Sequence, residues 1–110
     1  MELVKLKQGV KYTLYVGLND KDLKRQIIPT SECQMIVNNT IYALTDGGTV
    51  YPAYGVYKHD NGVKVLENTI KIELTDVNDT TVSNVIDTLK KALNQESIMC
   101  EKRVIEYEFI

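Results

Sequence analysis

The chain has no tryptophan, one phenylalanine, one histidine, two cysteines and two prolines. Each scarcity excludes something. One histidine and two distant cysteines cannot be written into a zinc spacing such as C-x2-C or H-E-x-x-H. Two cysteines do not make a disulfide scaffold either. Cys33 falls on the apolar stripe of a predicted helix and Cys100 in a predicted strand, so both are expected as buried, reduced thiols with no bridge between them. Lys and Arg are scattered without a block of like charge, and the net charge is −2. That balance is too small for a nucleic-acid binder or for an acidic DNA mimic. No apolar run approaches the ~20 residues of a membrane span. MELVKLKQGV lacks the apolar core of a signal peptide, and a cytoplasmic protein is expected. There is no G-x-S-x-G elbow and no P-loop.

What is present suits one domain over residues 1–110, with 44% hydrophobic and 25% charged residues. Residues 1–10 alternate loosely and read as an N-terminal arm or a short extra strand. Lys11–Leu18 has high β propensity and stops at the polar NDKD. After a loop, Thr30 or Ser31 is a candidate N-cap. Cys33, Ile36, Val37, Thr40, Ile41 and Leu44 then recur with a helical period, and TDGG ends that helix. Thr49–Tyr57 reads as a strand that Pro52 confines to an edge or a bulge. HDNG at 59–62 predicts a type I′ hairpin turn. Val63–Leu74 returns with Leu66, Asn68, Ile70, Ile72 and Leu74 on one face and Val65, Glu67, Thr69, Lys71 and Glu73 on the other. Asp79 or Thr80 caps a second helix whose stripe is Val82, Val85, Ile86, Leu89 and Leu93. Ile98–Phe109 is a last strand. The order β-α-β-β-α-β predicts an α+β, ferredoxin-like fold, with two helices on one face of a four-stranded antiparallel sheet and the other face open.

The stretch GGTVYPAYGVYKHDNG concentrates three of the seven tyrosines, the histidine and four of the six glycines. Tyrosine joins a large apolar ring to a polar tip, which suits binding surfaces. The alternation allows Val50, Tyr54 and Val56 to pack inward while Tyr51 and Tyr57 stand on the open face, with small Ala53 and Gly55 leaving a groove between them. Cross-strand aromatic packing explains the same residues without a ligand. His59 reads either as an exposed turn histidine or as a general base or ligand contact. Glu67 reads as a solvated carboxylate, as a partner for a cation across the sheet, or as a ligand contact. Asn19, Asp20 and Asp22 resemble half a calcium loop, but the Gly and Glu that complete it are missing, so a solvated turn is expected and no metal site.

The segments YTLYVGLNDKD, AYGVYKHDNGVKVLENTIKIEL and LKKALNQESIMCEKRVIEYEFI resemble a family of small bacterial and mobile-element proteins of unknown function, some of them lipoproteins. The pattern rests on Gly17, Leu18, Ala53, Gly55, Tyr57, Glu67, Gln95, Glu96 and Ser97 and covers about residues 12–110. The resemblance implies the ferredoxin-like fold and no particular catalysis. Lipoprotein members carry a lipobox that this N-terminus lacks. The mobile-element members suggest a phage setting, where compact proteins block host defence by gripping a defence protein or sequestering a nucleotide-type signal.

The expected function is therefore a small non-enzymatic binding protein without a cofactor, taking a nucleotide-like ligand or a host protein. Tyr51 and Tyr57 would stack on a base, Lys58, Lys64, Lys71 and Arg103 would meet phosphates, and Asn19, His59 and Glu67 would orient the ligand. The alternatives are a small dimeric enzyme using His59, Glu67 or a tyrosine as acid or base, and a structural subunit. The tyrosines and Val65 of the open face further predict a homodimer.

Overall fold

The computed structural model describes residues 5–110. The element order is β1 (Lys7–Gly17), α1 (Thr30–Leu44), β2 (Thr49–Lys58), β3 (Lys64–Thr75), α2 (Asp79–Ala92) and β4 (Met99–Tyr107). The four strands form one antiparallel sheet in the order β2-β3-β1-β4. This is the expected α+β, ferredoxin-like arrangement. β2 is an edge strand, and Pro52 pairs with Ile70 without a break in register, as the missing N–H of proline requires.

Even-numbered residues of β1 and β3 face the helices. Leu14, Val16, Ile70, Ile72 and Leu74 from the sheet meet Cys33, Val37, Val85 and Leu89 from the helices, all fully buried. Removing that apolar surface from water is the main stabilising term, at roughly 25 cal/mol per Å². Tyr12 joins this core, and its hydroxyl donates to Asp79 in the first turn of α2.

Several boundaries differ from the sequence reading. β1 begins at Lys7, so residues 7–10 belong to it and are neither an arm nor a separate strand; residues 1–4 of that proposed segment lie outside the described residues. α1 has Pro29 at its N-cap and no side-chain cap, because neither Thr30 nor Ser31 lies outside the helix. α2 is capped by Asn78, one residue before the expected Asp79, its side chain accepting from the Thr81 N–H at 2.8 Å. In the hairpin turn only Gly62 takes a positive φ, +83°. The His59 N–H donates to Val63 O and the Gly62 N–H to His59 O. The loop is thus one residue longer than a type I′ turn, which needs two successive positive φ values.

The largest correction concerns β2. Val50, Tyr54 and Val56 do face the helix side, but only Val50 packs against the core. Tyr54 is 60% exposed and Val56 70%. Helices of 15 and 14 residues span about 22 Å at 1.5 Å per residue. The 12 residues of β3 span about 40 Å at 3.3 Å per residue. The distal hairpin therefore overhangs the helices. Cys100 is exposed for a related reason, since the helix-side residues of β4 lie at the margin of the cover, while Cys33 is buried as expected. Burial raises the Cys33 thiol pKa above its ordinary range, with Glu32 adding to the effect.

Candidate ligand-binding cleft

The site is built where the overhanging hairpin, the end of β1 and two loops meet on the open face. β1 delivers Tyr15 and Gly17, the hairpin delivers Tyr57, Val65 and Glu67, and the loop after β1 delivers Asn19, Lys21 and Lys24. Gln95, Glu96, Ser97 and Met99 close one end, and together these residues line a cleft of about 780 Å³. That volume lies in the range of small-molecule sites.

Two glycines are set by their neighbours' side chains. A Cβ on Gly17 would lie 2.5 Å from the Glu67 carboxylate, so only glycine lets Glu67 lie across β1. A Cβ on Gly55 would lie 2.6–2.8 Å from the Tyr57 ring. The ring of Tyr57 thus folds back over Gly55, whose cross-strand partner is Glu67. The small residues Ala53 and Gly55 do not leave a groove between Tyr51 and Tyr57, because Tyr57 fills the space above Gly55. One wall of the cleft is therefore an aromatic ring, still 49% exposed, beside a half-buried carboxylate.

Among the described residues no cation pairs with Glu67. Its Oε2 accepts the backbone N–H of Asn19 at 2.9 Å. Asn19 is held in turn by Gln95, a buried side chain whose Nε2 donates to Asn19 O at 2.8 Å and to Leu93 O at 3.1 Å. Asn94 completes the clamp. Its Nδ2 donates to Asp20 Oδ1 and Asp22 Oδ2 at 2.8 and 2.9 Å, and its carbonyl accepts the Lys21 N–H. Asp20 is not the solvated turn residue expected from sequence. It is buried, and its Oδ2 accepts the N–H groups of Asp22 and Leu23. The Asn94 amide, followed by the Leu23 N–H, holds its carboxyl below the usual carboxylate range. With one carboxylate oxygen held by its own loop and the other by Asn94, Asp20 belongs to the cleft wall as a brace. Among the described residues no three His, Cys, Asp or Glu side chains come together as a metal-ligand group.

Of the residues singled out in the sequence, Asn19, Tyr57, His59 and Glu67 line the cleft, whereas Tyr51, Lys58, Lys64, Lys71 and Arg103 do not. Tyr51 belongs to a separate polar lattice in the middle of the open face. Its hydroxyl donates to Glu73 Oε2 at 2.8 Å, Lys11 Nζ lies 3.3 Å from Glu73 Oε1, and the Tyr15 hydroxyl donates to Glu101 at 3.2 Å. Lys71 Nζ sits 4.9 Å from the Tyr15 ring centroid and 5.3 Å from that of Tyr51. The Tyr51 hydroxyl raises the Lys71 pKa and lowers that of Glu73. The middle of the open face is thus less apolar than the alternation suggested. Lys21 and Lys24 were missed because they lie in a loop with no periodicity. The resemblance motifs converge, however, with Gly17, Tyr57, Glu67, Gln95, Glu96 and Ser97 all lining the cleft.

The arrangement offers a stacking surface, a fixed carboxylate and an exposed rim carrying Lys21, Lys24 and His59. No helix among the described residues is long and apolar enough to cross a membrane. No protein-family model and no curated protein sequence matches the chain. Solved structures do. A phage SAM lyase in complex with S-methyl-5'-thioadenosine is similar at a TM-score of 0.66 and 20% identity, over 97% of this chain and 95% of that one. A phage SAM lyase in its apo state is similar at 0.59 and 19%, over 100% and 98%. CutA from Synechococcus elongatus is similar at 0.53 and 12%, over 97% and 86%. At these identities the likeness is one of fold.

Proposed function

We propose that the cleft takes an adenosine-type small molecule of the S-adenosylmethionine and methylthioadenosine class, and that the chain acts in the host cytoplasm for a phage or mobile element by withdrawing that molecule from host defence. The observation that carries this reading is the pairing of Tyr57, folded over Gly55, with Glu67, folded over Gly17. The ring supplies a stacking surface for a base, worth roughly 1–3 kcal/mol. The carboxylate, held from behind by Asn19, keeps lone pairs for ribose hydroxyls or for a cationic centre. Lys21 and Lys24 at the rim suit the carboxylate of S-adenosylmethionine, which methylthioadenosine lacks. Support also comes from the near-complete coverage of a phage SAM lyase that holds methylthioadenosine.

A second reading, turnover of the ligand with Glu67, Tyr57 or His59 as acid or base, is favoured by the enzymatic nature of that same neighbour. One experiment separates the two. S-adenosylmethionine, methylthioadenosine and common nucleotides are titrated calorimetrically, and the S-adenosylmethionine mixture is chromatographed for methylthioadenosine. Binding without product supports the binding protein, and product supports the enzyme. Tyr57→Ala and Glu67→Ala should each weaken binding about tenfold or more, from the loss of ~1–3 kcal/mol of contact. The reading fails if no member of the class binds, or if both variants bind like the parent.

A further inference from the structure

The sheet order leaves two edges, β2 and β4. They are not alike. β2 carries Pro52, whose missing N–H lies on the outer side of the ladder and blunts pairing with a further strand. β4 runs Met99–Tyr107 as MCEKRVIEY, nine residues without proline or glycine. Among the described residues nothing pairs with its outer side. It also holds exposed apolar residues, Val104 at 68% and, where the strand closes the cleft, Met99 at 60%, with Phe109 just beyond at 84% and edge-on to Tyr107.

We infer that the outer edge of β4 pairs antiparallel with the same edge of a second copy, about a two-fold axis at Val104. Directly opposed residues of an antiparallel pair lie on one face. With Val104 opposite its own copy, Lys102 stands opposite Glu106, twice by symmetry, and Arg103 opposite Ile105. On the open face Glu101 meets Tyr107 and Met99 meets Phe109. The strand is therefore self-complementary in charge, as an isologous contact demands. A shift of the axis to Ile105 sets Val104 opposite Glu106 and moves the partner of Lys102 to Glu108, beyond the end of the strand, and shifts the other way are worse. A shift of the axis to Arg103 stacks arginine on arginine, and a shift to Lys102 stacks lysine on lysine, each a like-charge pair directly opposed. Lys102 is already oriented on this side, 3.4 Å from Asp79 and half exposed. The product is one eight-stranded sheet with both clefts on its open face. An edge contact of this size is small, so association should be reversible and concentration-dependent. This inference is independent of the ligand that the cleft takes.

The test is sedimentation velocity of the full chain from low micromolar to submillimolar concentration. A monomer–dimer equilibrium is expected. Glu106→Lys should weaken it about tenfold, and Lys102→Glu combined with Glu106→Lys should restore it, which a merely misfolded variant would not show. In a Cys100→Ser background, Val104→Cys should cross-link two chains under mild oxidation, because opposed Cα atoms at ~4.5–5.5 Å suit a disulfide. Tyr42→Cys, on an exposed helix position, should not. A monomer at every concentration, a trimer or larger ring, a dimer indifferent to Glu106→Lys, or cross-linking no better than the Tyr42→Cys control would each overturn the pairing.

Discussion

Ile72 and Leu66 point to the same side of the same strand, yet Ile72 is fully buried and Leu66 is 59% exposed. The half of β3 near Ile72 lies under both helices, and the half near Leu66 belongs to the overhanging hairpin. Sequence alternation assigns a face to each residue. It does not say whether anything covers that face. The covered half gives the protein its core, and the overhang gives it the cleft, whose tyrosine and carboxylate come from Tyr57 and Glu67.

Substitution at the two positions tests this contrast most strongly. Ile72→Ala should cost about 2–5 kcal/mol, the range for deleting a large aliphatic side chain from a packed core. Leu66→Ala should stay within about 0.5 kcal/mol, as for ordinary surface changes. Urea unfolding of both variants measures the difference. Equal effects would mean that the hairpin is covered in solution.

A smaller effect is expected at the junction of the two halves. Gly17→Ala places a methyl group against the Glu67 carboxylate and should push it off the Asn19 N–H. The expected loss is about tenfold in ligand affinity, equivalent to ~1.4 kcal/mol, with near-parental thermal stability. Calorimetry and a melting curve on the same sample check both parts.

The smallest effect is on acid stability. The folded-state pKa of Asp20 is depressed. Its contribution is therefore present above the unfolded value, about pH 3.9, and fades as pH falls through the folded one. Asp20→Asn should remove that part of the pH dependence, so that parent and variant differ less at pH 3 than at pH 6. Amide exchange over residues 19–25 is the sensitive measurement. A difference that grows on acidification would contradict the assigned role.

The fold was legible because its elements advertise themselves. The stripe Cys33, Val37 and Ile41 and the stripe Val82, Val85 and Leu89 are both buried as their spacing required. Placement of Tyr57 and Glu67 on the open face followed from parity along the hairpin. The rest of the cleft was hidden for physical reasons. The partner of Glu67 is a backbone N–H, and every residue but proline has one. Gln95 reaches Asn19 across 76 positions, a distance over which no local pattern operates. The exposure of Tyr54 and Val56 needed only arithmetic, since a helix rises less than half as far per residue as a strand.

The clamp between Gln95 and Asn19 also has a consequence in time. Synthesis runs from the N-terminus, and β1 finds its two neighbours only in β3 and β4, both made later. The loop that supports Glu67 is likewise fastened by residues 94 and 95, which follow it by more than 70 positions. Long-range closures of this kind are paid for in chain entropy before they return any contact energy. A growing polypeptide therefore carries Tyr57 and Glu67 well before it can hold them in place, and the cleft is complete only once residues 94–99 and β4 have followed.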